Sequence, residues 1–279
     1  MTQKRSIFDN LSKKVKKTKL GKLVTGYQQL REANYISSHF STFLQPVLAI
    51  DEDLRESVFK IRHNVYCEEL GFEPVKENGL EVDDFDKFSR HCLIRHINSD
   101  QLAGTVRIVR PLESHEQLPI EKYCLSSISR QDLNPYHFDR KNVCEISRLA
   151  VPSYFRRRQM DRFAGAATGV INQQTYSETE LRCFPFIAVG LYFAAAATAL
   201  ESNIEHAYVM MEPRLARSMS FVGIKFEQIG PVVDYHGRRA PYYINQDLLQ
   251  KNLKPGFAKM LTTIRQSIRD QLPASDITP

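Results

Sequence analysis

The chain has 279 residues, 42% hydrophobic and 25% charged, enough to bury a large core in one big domain or two small ones. Its formal charge of +6 is concentrated in residues 1–23, which hold eight Lys or Arg against a single acid (+7); the rest balances to −1, so no nucleic-acid-binding body is expected. Five widely spaced cysteines without CxxC or His-Glu-x-x-His spacing exclude a disulfide framework and a zinc site, and no apolar h-region follows the basic N-terminus, so a reduced, cytoplasmic protein is expected.

Residues 1–40 read as a basic, partly helical arm, with Ser6 and Asp9 spaced as a capping box and Ile7, Phe8, Leu11 and Val15 at helical intervals. Residues 1–23 suit a peripheral contact with an anionic inner-membrane surface, or a solvated or docked helix. Phe43–Ile50 is a first strand, demoted to an edge by Pro46. A helix is predicted from Asp53 to about Leu70, its apolar face built by Leu54, Val58, Ile61, Val65 and Leu70, with Gly71 as its stop. After an acidic loop over 81–86, His91–Ile97 and Leu102–Val109 form a hairpin, and Leu118–Ser129 is weakly helical.

The organising stretch is Val143–Val151. Val143, Ile146, Leu149 and Val151 supply the apolar content of a buried strand, interrupted by Glu145, Ser147 and Arg148. Strand alternation puts 145 and 147 on one face and 148 on the other, unless a bulge re-aims one of them. A charged pair inside a central strand is costly unless matched by partners or by a substrate. Pro152 ends the strand, and the basic turn Arg156-Arg157-Arg158 opens a helix predicted over Phe155–Ile171. Strand, basic turn and helix can hold an anionic group on backbone N–H groups; a buried ion pair followed by a solvated turn is the plainer alternative.

Phe184–Leu200 is an uncharged, alanine-rich run near membrane-spanning length, read as a helix buried against a sheet. Ala207–Met211 is a strand, Arg214–Phe221 a helix stopped at Gly223, and Phe226–Ile229 and Tyr242–Ile244 are strands around the polar turn 234–239. Gln246–Leu272 is helical with a break at Pro255-Gly256. The succession points to a single α/β domain over 41–250 with a sheet of mixed direction, too irregular for a doubly wound parallel fold, followed by a C-terminal helix and tail over 251–279.

Arg62, Asp83 with Asp86, Arg107, and Glu145 with Arg148 are the charged groups that, if they converge, could bind an amine-bearing, zwitterionic substrate. Glu145 is then the general base toward the amine. Ser147 as nucleophile lacks a neighbouring His and a Gly-x-Ser-x-Gly elbow, and Cys144 faces away from Glu145 as a structural thiol.

These residues carry a resemblance. Arg62-x-x-Val65-Tyr66, Leu70-Gly71-Phe72, Glu81-x-Asp83-x-x-Asp86, Arg107-x-x-Arg110-Pro111 and Glu145-x-Ser147-Arg148 occur in the order seen in the acyl-homoserine-lactone (autoinducer) synthases, which belong to the GNAT-fold N-acyltransferases. The chain length, Phe155–Arg158, Val209–Pro213 and Asp234–Pro241 look more like the related N-acyl amino acid synthases and PEP-CTERM/exosortase-associated acyltransferases. The resemblance spans about residues 45–245 and implies a mixed, mainly antiparallel GNAT-like sheet flanked by helices. It implies a single step with no protein nucleophile: an amine attacks an acyl thioester on acyl-carrier protein or coenzyme A, with no tightly bound cofactor and no metal. Glu145 and Arg148 would be catalytic; Arg62, Tyr66, Phe72, Asp83, Asp86 and Arg107 would bind substrate. Backbone N–H groups of Leu149, Ala150 and Val151 would meet the thioester oxyanion, and Arg156, Arg157 and Arg158 the donor's phosphate or carrier protein. The later helices would line an acyl tunnel.

Phe72 stands where the autoinducer synthases place Trp, and Leu112 where Thr is common, which turns the expectation from S-adenosylmethionine toward an amino acid. Arg107 or Arg148, with Arg238 and Arg239, would fork its carboxylate. An autoinducer synthase proper and a non-catalytic carrier- or lipid-binding protein of the same fold are the alternatives.

Overall fold

The computed structural model of the chain describes residues 35, 37–155 and 186–273. The arm through residue 34, the helix expected over Phe155–Ile171 apart from its first residue, and Arg156, Arg157 and Arg158 lie outside the described residues.

Apolar-rich runs, buried on both faces over most of their length, build β1 (Leu44–Leu48), β2 (Ser89–His96), β3 (Gln101–Val109), β4 (Val143–Ala150), β5 (His206–Met211) and β8 (Arg238–Asn245), with short β6 (Glu227–Gln228) and β7 (Val233–Asp234). They form one sheet in the order β1-β2-β3-β4-β5-β8-β6, with β7 added to β8. Each pair is antiparallel except β4 with β5. Pro46 lies in β1, an edge strand, where a missing N–H donor costs nothing to the ladder.

On one face, α3 (Phe186–Glu201) and α6 (Pro255–Arg269) pack over Val106, Ile108, Cys144 and Ile146 in the main core. The alanines of α3 let it lie close to the sheet, and Glu201 at its end pairs with Arg265 and Arg269 of α6 (2.7 and 2.6 Å). The uncharged run is thus a buried helix, and among the described residues no helix is long and apolar enough to cross a membrane. Two predicted boundaries move. Residues 37–43 are helical with Phe40 buried, and α6 buries Met260, Leu261, Ile264 and Ile268 in the same core, so neither the end of the arm nor residues 255–269 stand apart from the domain.

The other face carries α1 (Glu52–Arg62), the 84–88 turn and α2 (Pro119–Cys124). Asp51 caps α1 by accepting from the Leu54 N–H (2.8 Å), and Val58 packs onto Val47 and Leu93. The helix predicted to run to Leu70 instead widens at His63 into a π-helical turn, His63–Glu69, which ends before Gly71 at φ +62°. The chain returns through α4 (Pro213–Val222), stopped as predicted at Gly223, and α5 (Gln246–Asn252). Gly223 adopts φ +98°, which a side chain would resist.

Two irregularities shape the middle of the sheet. β4 and β5 pair only over Val143–Glu145 and His206–Tyr208, so beyond Glu145 the two strands separate and leave the sheet open between them. Between Thr105 and Arg107 the β3–β4 register slips, since Arg107 faces Ser147 while Thr105 faces Ala150. β4 therefore bulges at Arg148, whose φ is +50°.

Candidate active site

Four polypeptide segments converge on the α1 face of the sheet. Arg62, the last residue of α1, is fully buried; its Nε donates to Glu81, and its Nη1 and Nη2 donate to the two oxygens of Asp86 (2.6 and 3.1 Å). The 81–86 loop is held by a local capping box: Asp83 accepts from Phe85 N–H (3.0 Å) and Asp86 from Asp83 N–H (2.8 Å). From β3, Arg107 donates through Nη1 to Asp83 and Asp86 and through Nε to Ser147 Oγ (3.0 Å). Burial opposes the ionisation of Glu81 and Asp86, yet Arg62, with Arg148 on Glu81 and Arg107 on Asp86, holds both carboxyls below their usual range.

The bulge decides where Arg148 goes. Simple alternation would put it on the α3 face. With φ +50° its side chain instead comes to the same face as Glu145 and Ser147, where Nη2 donates to Glu73 (2.9 Å) and Glu81 (3.1 Å). Its guanidinium also lies 5.5 Å from the centre of the Tyr66 ring. Tyr66, on the π-helical turn, donates its hydroxyl to Leu149 O (2.8 Å), which ties that turn to the bulged strand. Ala150 pairs with Thr105, and the side chains of Leu149 and Val151 pack on the main core.

Glu145 stands at the point where β4 and β5 part. It is 2% exposed, and one oxygen accepts from the Ile120 N–H at the start of α2 (2.6 Å). Burial pushes its carboxyl up to about 8, against the pull of that amide and of Arg107. Cys144 beside it faces the main core, fully buried, and burial pushes its thiol up to about 12. Among the described residues Ser147 has no His partner, and its hydroxyl accepts from Arg107. His91 is no substitute base, because burial pulls it down to about 3 and it lies behind Arg107, edge-on to Phe59.

These residues line an open cleft with a cavity volume of about 360 Å³. Of the expected site residues, Tyr66, Phe72, Asp83, Arg107, Glu145 and Arg148 face it. Arg62 and Asp86 do not. They are buried behind the wall, paired with each other, and brace the carboxylates that do face the cleft, which corrects their expected role in touching substrate. Glu73, Ile120, Tyr123 and Tyr235 complete the site without having been singled out in the sequence. Glu73, directly after Phe72, and Tyr235, inside the Asp234–Pro241 motif, had local signals. Arg239 of β8 also faces the cleft, its guanidinium 6.0 Å from the centre of the Phe72 ring. Arg156, Arg157 and Arg158 lie outside the described residues.

Across the sheet, a second cavity lies between α3, β5 and β8, lined by Ile146, Tyr192, Phe193, Ala207 and Ile244. At about 40 Å³ it has room for about three waters. An extended fatty chain would enter only if the surrounding helices shifted. Among the described residues no group of His, Cys, Asp and Glu could hold a metal ion.

Residues 61–165 match the family model of the acetyltransferase (GNAT) domain. The fold is similar to that of TofI in a ternary complex with an inhibitor and MTA (TM-score 0.53, 16% identity, covering 76% of this chain and 99% of that one). It also aligns with the AHL synthase LasI (0.48, 16%, 75% and 95%) and with FeeM, an N-acyl amino acid synthase from uncultured soil microbes (0.48, 14%, 75% and 94%). At these identities the likeness is one of fold. No curated protein matches the chain in sequence.

Proposed function

We propose that this chain, an N-acyltransferase of the GNAT fold, moves a fatty acyl group from the thioester of an acyl-carrier protein to the amine of an amino acid. The observation that carries this reading is Glu145: a buried carboxyl, raised to about 8, facing a polar cleft where β4 and β5 separate. A carboxylate with that affinity for protons is matched to an ammonium group. Glu145 takes one proton from the ammonium and passes it to solvent. The free amine attacks the thioester carbon, the C–S bond breaks, and the second proton leaves nitrogen for the departing thiolate. The products are an amide and a free thiol.

The remaining roles extend the same reading. Backbone N–H groups near Leu149, Ala150 and Val151, beside the bulge, would receive the oxyanion of the tetrahedral intermediate. Arg148, locked by Glu73 and Glu81, sets the electrostatics beside Glu145. The basic turn Arg156–Arg158 would meet the donor's phosphate or its carrier, and the acyl chain would widen the cavity beneath α3.

S-adenosylmethionine is the less favoured acceptor. Its sulfonium would seek an aromatic face, and the face of Phe72 is already taken by Arg239. The test is thiol release from a long-chain acyl-carrier protein with single amino acids or S-adenosylmethionine, followed by product mass. An N-acyl amino acid without lactone is expected; lactone formed only with S-adenosylmethionine would reverse the assignment.

A further inference from the structure

We propose that Arg239 reads the carboxylate of the acceptor, so that the enzyme selects α-amino acids over amines that lack the acid group; this rests on the amide-forming reading above. Four guanidinium groups lie in or beside the cleft, and three are spent. Arg62 is consumed by Glu81 and Asp86, Arg107 by Asp83, Asp86 and Ser147, and Arg148 by Glu73 and Glu81. None of them can fork a substrate carboxylate without breaking an ion pair within the protein.

Arg239 is different. It enters from β8, is only partly exposed, and its guanidinium forms no ion pair or hydrogen bond among the described residues. Its guanidinium lies over the Phe72 ring, 6.0 Å from the ring centre. A partly desolvated guanidinium beside an aromatic ring, with no counter-ion among the described residues, keeps its N–H fork for an incoming planar anion. Lys76, the other cation of the cleft without a carboxylate partner, sits on an exposed loop and offers only a mobile point charge.

The register places Arg239 where this requires. Ala240 pairs with Met211 at the open end of β5, whereas Tyr208 pairs with Glu145 on one side and Tyr243 on the other. Arg239 therefore lies four residues along β8 from the level of Glu145, about 13 Å, and two strands across the sheet, about 10 Å, so that the backbones are about 16 Å apart. The two side chains and one amino acid backbone are long enough to bridge that span. Ammonium on Glu145 and carboxylate on Arg239 would match both charges of the zwitterion.

The experiment compares one amino acid with the amine left when its carboxylate is removed, using thiol release for KM and kcat and calorimetry for acceptor binding without donor. Arg239→Gln should raise KM and Kd for the amino acid about 10–100-fold, the loss of a charge-assisted fork. It should leave KM for the matching amine within about twofold. Arg239→Lys, which keeps the charge but not the fork, should fall between and guards against misfolding of the Gln variant. Equal losses for both acceptors, or none for either, would overturn the role of Arg239 and leave amide formation standing. Absence of amide with the unaltered protein and any acceptor would overturn both.

Discussion

Glu145 and Asp86 are both buried carboxyls on one face of the sheet yet are shifted in opposite directions, because one is buried beside a single amide and the other is wrapped by two arginines. Glu145→Gln keeps the shape and the bond from Ile120 but removes the base, so kcat should fall about 10²–10⁴-fold. The wild-type pH profile should climb through about 8, and steady-state rates should show that limb missing in the variant. Stability offers an independent reading. A carboxyl raised on folding contributes stability below its unfolded value of about 4.3, and that contribution is lost as pH climbs toward 8. Thermal melts of Glu145→Gln and wild type should therefore diverge from pH 5 to pH 9, with the variant more stable at the alkaline end. Asp86 behaves in the reverse sense: depressed on folding, it stabilises above about pH 4 and its contribution fades in acid. Asp86→Asn removes the carboxylate that Arg62 and Arg107 share and leaves each buried guanidinium with one remaining partner, Glu81 or Asp83, so denaturant titration at pH 7 should show a loss of about 3–5 kcal/mol. A loss below about 1 kcal/mol would mean that water reaches the cluster.

At the level of elements, the site depends on two breaks in regular structure that support each other. The π-helical turn after α1 presents Tyr66, and Tyr66 holds the carbonyl of Leu149 one residue past the bulge. Tyr66→Phe removes that tie and should cost about 0.5–1.5 kcal/mol in stability. If the tie also positions Arg148 and the oxyanion donors, kcat should drop while acceptor Kd hardly moves; unchanged kcat would make the bond purely structural. Gly104 tests the same region from β3. A Cβ there would sit 2.8 Å from Ala150 O and 3.0 Å from Leu191 of α3, so Gly104→Ala should push the bulged strand and lower the melting temperature.

For the whole molecule, charge and chemistry are segregated. The arm over 1–23 carries +7 and the rest −1, whereas the cleft is assembled from residues between 66 and 239. Deleting 1–23 should leave amide formation within about twofold and abolish salt-sensitive retention on anionic vesicles or resins. A large loss of turnover would show that the arm reaches the cleft or its donor.

Much of this was legible in the residues themselves. The edge strand with Pro46, the β2–β3 hairpin, the buried alanine-rich helix and the stop at Gly223 follow from local patterns, because periodicity and backbone preference act within a few residues. The cost of placing Glu145 and Arg148 in an apolar strand marked the site in the same way. Tertiary structure alone decided which charges face the cleft. Arg62 and Arg107 look equivalent in sequence and are both almost fully buried, but the fold lets only Arg107 line the cleft. Arg148 reaches the cleft because the β3–β4 register slips by one residue, a property of two strands that neither encodes alone. Among the described residues Arg239 has no counter-ion, while Glu73, Glu81, Asp83 and Asp86 are paired with other arginines, and that competition exists only once the four segments are folded together.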